Sequence, residues 1–128
     1  MSPTREYVQR VTEVVRVVDG DTYHLRVSLP FYLSAVITVR LDGFDCPEIN
    51  SGTVAERNAG QVAKSIAAGF LTQPTLWVRT EKDPDNFGRW LGDVWSEDAD
   101  GNQTHLGDTL RAQGLASIWP TRWHEEFE

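Results

Sequence analysis

Two hydrophobic periods alternate along the chain. Residues 8–18 hold Val11, Val14, Val15, Val17 and Val18, a β-branched run that predicts a strand. Thr22–Leu29 alternates, with Tyr23, Leu25 and Val27 on one side and His24, Arg26 and Ser28 on the other. That pattern predicts a half-buried strand. Pro30 ends it, and Phe31-Tyr32-Leu33 forms an apolar hairpin connection to a third strand over Ala35–Leu41. A helical period then takes over, with Ala59, Val62, Ala63, Ile66, Ala67 and Phe70 on one face. Thr53 and Glu56, three residues apart, have the form of a capping box at the start of this helix, which runs to Leu71. Leu76–Thr80 and Trp90–Trp95 predict short strands, and Gly92 inside the second suggests a bulge or sharp bend. Thr104–Gln113 predicts a short helix with Leu106 and Leu110 inward, and Leu115–Trp119 a last extended piece. Asp19-Gly20-Asp21, Asp83-Pro84-Asp85-Asn86 and Asp98–Asn102 separate the elements with turn chemistry. In the tail, Trp123 and Phe127 are available to cover an apolar patch.

Three strands, a helix, two strands and a helix fit an α+β architecture. The order matches a five-stranded OB-type Greek-key β-barrel, with the first helix between its third and fourth strands. At 128 residues the chain is long enough for one core, so residues 1–128 are expected to form one domain.

Composition narrows the function. A hydrophobic content of 40% and a charged content of 24% are ordinary for a globular domain. One cysteine rules out an intrachain disulfide, which suits a reducing compartment. No apolar run approaches the ~20 residues of a membrane span. The first residues lack the apolar stretch of a signal peptide, which favours a cytoplasmic or phage-associated setting over a secreted one. The net charge of −7 argues against broad binding to nucleic-acid backbones. Any phosphate partner must meet a local positive site or a bound metal.

The chemistry concentrates in Asp19–Glu48. Asp19-Gly20-Asp21-Thr22 precedes two strands, and Arg40 is followed by Asp42, Asp45 and Glu48. An arginine beside several carboxylates suits metal-assisted attack on a phosphate; it also suits a polar barrel rim. Cys46 has no histidine placed to activate it, since His24, His105 and His124 share no register with it, so it reads as a semi-buried thiol. Trp77, Trp90, Trp95 and Trp119 read as core or barrel wall.

Four segments in order resemble the staphylococcal (micrococcal) nuclease family: Asp19–Thr22, Arg40–Glu48, Phe87-Gly88-Arg89, and Leu110–Ala116. The resemblance implies a Ca²⁺-dependent nuclease acting on DNA, RNA or both, and the chain is expected to work as a monomer. It implies that Asp21 and Asp45 ligate Ca²⁺ with their carboxylates and Cys46 with its backbone carbonyl, where the family usually has threonine. Glu48 would be the general base, Arg40 and Arg89 would hold the phosphate, and Phe87 would lie beside a base. Asp19 would shape the metal site without ligating. The chain departs from the family in three places. Asn86 stands where many relatives carry lysine, Pro120 and Arg122 stand near where tyrosines often contact bases, and the C-terminal region is shortened. The alternative is a non-catalytic domain of the same family that binds nucleic acid or peptide. Degenerate relatives of that kind usually lose the Glu or an Arg, and here all three residues are present.

Overall fold

The computed structural model describes residues 7–50, 52–83, 85–86 and 88–118. Among these residues the order is β1 (Tyr7–Asp19), β2 (Thr22–Ser28), β3 (Ser34–Leu41), β4 (Phe44–Asp45), α1 (Val54–Phe70), β5 (Leu76–Lys82), β6 (Trp90–Glu97), β7 (Gln103–His105), α2 (Leu106–Ala112) and β8 (Ser117–Ile118). The sheet runs β3-β2-β1-β5-β6, and β6 returns to pair with β3, which closes a five-stranded barrel. The closing seam is parallel, with Val39, Arg40 and Leu41 beside Trp90, Leu91 and Gly92. The other barrel pairings are antiparallel. α1 connects the third and fourth barrel strands, as the OB-type order requires. β4 and β8 form a separate ribbon, Phe44 opposite Ile118 and Asp45 opposite Ser117.

β1 makes the closure possible. Its core-facing residues Val11, Val14 and Val17 fall three apart rather than two. The register against β2 shifts three times between Val11 and Asp19. Each extra residue on one strand bends it. So this 13-residue strand curves, pairing with β5 through Tyr7–Val11 and with β2 from Val11 onward.

Tyr23 and Leu25 of β2, Val39 and Leu41 of β3, Val78 of β5 and Val94 of β6 fill the core and are fully buried. Gly92 runs through β6 without a bulge. A Cβ there would lie 2.5 Å from Val39 Cγ1 and 3.1 Å from Val78 Cγ2. Its role is close approach, and no bulge forms there. α1 buries Gly60, Ala63, Ala67 and Phe70, while Val62 is exposed, so its buried stripe is narrower than the sequence pattern. Thr53 caps the helix as expected, its hydroxyl accepting the Glu56 N–H at 3.1 Å.

The late elements differ from the sequence reading. Asp98 Oδ1 accepts the N–H groups of Asp100 and Asn102, each at 2.9 Å. That turn sends Gln103–His105 back along β6 as β7, and the helix starts only at Leu106. The final extended piece is Ser117–Ile118; Trp119, Trp123 and Phe127 lie outside the described residues. No helix among the described residues is long and apolar enough to cross a membrane.

Candidate active site

Three segments meet at Arg40. It lies opposite Thr22 across the β2–β3 pair, which sets it beside the Asp19-Gly20-Asp21 turn. Its Nη2 is 3.6 Å from Asp21 Oδ2 and 3.1 Å from Asp45 Oδ1. Its Nη1 donates to the Leu41 and Phe44 carbonyls, each at 3.2 Å. One guanidinium thus ties the β1–β2 turn to the end of β3 and to β4. Asp21 Oδ2 also accepts the Cys46 N–H at 3.0 Å. Its Oδ1 accepts the Thr22 hydroxyl at 3.1 Å, and its own N–H donates to Asp19 Oδ1 at 3.2 Å. The Leu41 N–H donates to the Asp21 carbonyl at 2.8 Å. Beneath the turn, the buried Tyr23 hydroxyl donates to the Gly20 carbonyl.

The charges around Arg40 are unequal. Burial first, then hydrogen bonding and repulsion from Asp21, push Asp19 up to about 6. Asp45 is raised by burial and then by the Asp21 charge; Arg40 opposes this and Glu48 adds to it. Burial first, then Asp21, Asp19 and Asp45, push the Cys46 thiol up to about 12. Cys46 is therefore held as a thiol, in keeping with the inert role read from the sequence.

Glu48 is exposed. Its main chain presses against α1, where a Cβ on Gly60 would sit 2.8 Å from Glu48 C and O. No side chain fits at position 60, so the helix fixes the backbone that carries this carboxylate. Next to Asp45, Cys46 and Pro47, a cleft of about 330 Å³ opens toward Glu56 and the Gly114–Ser117 exit of α2.

Arg89 has a different partner. Its Nε donates to Asp83 Oδ2 at 2.7 Å, and Asp83 is 3% exposed. Asp83 Oδ1 accepts the Asp85 N–H at 2.9 Å. Arg89 immediately precedes Trp90, which lies beside Val39 in the parallel seam, so Arg40 on β3 and Arg89 at the entry to β6 come from opposite sides of the closure. The structure therefore gathers Asp21, Arg40, Asp45 and Cys46 into one bonded set. Glu48 lies within electrostatic reach of Asp45, while Arg89 pairs with Asp83. Phe87 lies outside the described residues. The sequence gives Tyr23 a place on a strand face and Asp83 a place in a turn but no site role to either, and none to Gly60. Only Asp83 carried a signal, a carboxylate opening the turn that leads to Arg89.

Among the described residues, no group of three or more His, Cys, Asp or Glu side chains is arranged to hold a metal. Two carboxylates supplemented by a backbone carbonyl and water are nonetheless donors for a hard cation. Burial first and the Asp21 charge after it raise both Asp19 and Asp45, so three carboxylates crowd one side of Arg40.

Residues 38–127 match the family model described as staphylococcal nuclease homologue. The matched span takes in Arg40, Asp45, Cys46, Glu48 and Arg89 and begins after the Asp19–Thr22 turn. The chain is also similar to "Protein ParB" of Escherichia coli, 38% identical over 84 residues, covering 65% of this chain and 40% of that protein. The chain thus spans about two fifths of that relative's length.

Proposed function

Because the chain belongs to the staphylococcal nuclease homologue family, we propose that it is a Ca²⁺-dependent nuclease hydrolysing phosphodiester bonds in DNA, RNA or both. The observation that carries this reading is the convergence of Asp21 and Asp45, from separate segments, on a single Arg40 nitrogen. Asp21, Asp45 and the Cys46 carbonyl would hold the metal. Bound Ca²⁺ offsets negative charge at the phosphate and lowers the pKa of water. Glu48 takes or orients the proton of the attacking water. Arg40 and Arg89 hold the phosphate oxygens through charge-assisted hydrogen bonds. Their charge opposes the negative charge carried by the non-bridging oxygens as the water–phosphorus bond forms and the ester bond to the departing sugar oxygen breaks. Asp83 takes the Nε–H of Arg89 and so orients the rest of its fork. Phe87 is assigned to stack beside a base.

Cleavage of single-stranded DNA, duplex DNA and RNA in Ca²⁺, Mg²⁺ or EDTA tests this. Cleavage is expected with Ca²⁺ and not with EDTA. Glu48→Gln is expected to lower kcat by ~10²–10⁴-fold, and Arg89→Ala by ~10²–10³-fold. Wild-type levels of cleavage by Glu48→Gln would sink the mechanism. Binding without cleavage in every condition would favour the non-catalytic alternative.

A further inference from the structure

The barrel end away from Arg40 is open. Between β2 and β3 the register runs from Thr22 opposite Arg40 to Ser28 opposite Ser34, so the hairpin tip lies about 20 Å from the acidic turn at ~3.3 Å per residue. There a cup of about 980 Å³ is lined by thirteen residues, among them Tyr7, Val8, Leu29, Ile37, Trp77 and Trp90. None of the thirteen is acidic, in a chain that carries 19 Asp and Glu. Pro30 forms part of the cup wall and also begins the tip.

The tip itself is apolar and outward. Phe31 is 89% exposed, Tyr32 107% and Leu33 60%. Phe31 and Tyr32 both hold left-handed backbone, φ 65° and 60°, a region that non-glycine residues rarely occupy. The Leu29 N–H to Leu33 carbonyl bond at 2.9 Å closes the loop around them. Strained, exposed aromatics of this kind accumulate where they serve binding.

We infer that this end of the barrel is a self-association surface, on which the Phe31–Tyr32 tip of one copy enters the apolar cup of a second and receives its partner's tip in return. A projection and a recess side by side on one face are self-complementary, so a two-fold axis uses both twice. Tyr7, Val8, Phe31, Tyr32 and Leu33 carry on the order of 600 Å² of exposed surface per copy, aromatics supplying ~150–250 Å² each. A stable interface needs ~800 Å² per partner, within reach once the cup walls are counted. Charge favours the same occupant. Copies that bear −7 each repel one another elsewhere, and a cup with no acidic lining residue is where they can approach. A nucleic acid would need several unengaged cations, whereas the two here are spent on cup tryptophans: Arg10 stacks on Trp77 with its guanidinium 5.7 Å from the ring centre, and Lys82 Nζ stands 5.6 Å from that of Trp90.

Sedimentation equilibrium over a wide concentration range, at low and high NaCl, tests the inference. The full chain is expected to dimerise reversibly and more tightly at high salt, as screening relieves the repulsion between like charges. The tip variant Phe31→Ser/Tyr32→Ser and the cup variant Val8→Asp, each checked for native circular dichroism, are expected to weaken association by at least about 30-fold. A mixture of the two variants retains one intact tip and one intact cup, and is expected to associate more strongly than either variant alone. A chain that stays monomeric at all concentrations and salts overturns the inference. So does a dimer indifferent to both variants, or a mixture no stronger than its components. Monomers whose tip instead binds anionic lipid vesicles or an oligonucleotide would assign this end to that partner and overturn it as well.

Discussion

Asp83 decides how the second arginine is presented. It is almost completely buried, and its carboxylate is shared between the Arg89 side chain and the Asp85 N–H. Removing one partner from a buried pair leaves an uncompensated charge. Arg89 is partly open to solvent, so the expected loss for Arg89→Ala is about 1–3 kcal/mol, below the ~3–5 typical of fully buried pairs. Adding Asp83→Asn should restore much of that stability without restoring cleavage. Urea unfolding beside the cleavage assay measures both; an Arg89→Ala as stable as wild type would deny the pair any structural value. Cys46 makes a second prediction at this scale. Its thiol ionises near 9.0 ordinarily and near 12 in the fold. The raised group lends stability that is fully present below 9.0 and is lost as pH rises from 9.0 toward about 12. Native protein should therefore react slowly with iodoacetamide at pH 8 and quickly once denatured. Mass spectrometry of the alkylated fraction reads this, and fast native labelling would contradict the burial of the thiol.

α1 joins the barrel to the carboxylate proposed as base. Its start was legible in the sequence, because a helix cap is a local device: the Thr53 hydroxyl needs only the Glu56 N–H three residues on. The alternation of β2 was equally legible, since strand pattern and turn residues are read from neighbours. Other features depend on distant contacts. Gly60 looks like a weak point in a helix until Glu48 is seen against it. The three-residue spacing of Val11, Val14 and Val17 makes sense only with the bulges against β2. Thr104 and His105 carry a helical pattern because Leu106 and Leu110 dominate their neighbourhood, while the return along β6 leaves no local mark. Gly60→Ala tests the helix contact. Alanine favours helix over glycine by about 1 kcal/mol, but here its Cβ would meet the Glu48 backbone. A melting temperature below wild type and reduced cleavage are expected. A variant more stable than wild type and equally active would show that the contact is unimportant.

The whole molecule is a ring whose last joint is its shortest. β1–β2 and β5–β6 are long antiparallel pairings, whereas the β3–β6 seam matches three residues of each strand and adds the Asp42 N–H to Gly92 carbonyl bond at 2.8 Å. The sequence supplied every strand of this ring, but not which joint would be brief, because pairing length is a property of closure. Proteins open region by region, and short joints sit at the low end of that range. Gly92→Ala would press on Val39 and is expected to speed hydrogen exchange at the Asp42 amide while sparing β1–β2 amides, measured by NMR in D₂O. Equal acceleration everywhere would mean that the ring opens only as a unit. Because Arg40 and Arg89 come from opposite sides of this joint, a momentary unlatching would separate them while most of the sheet persists. Heat inactivation would then precede melting, and cooling from that interval would return activity as fast as the latch recloses.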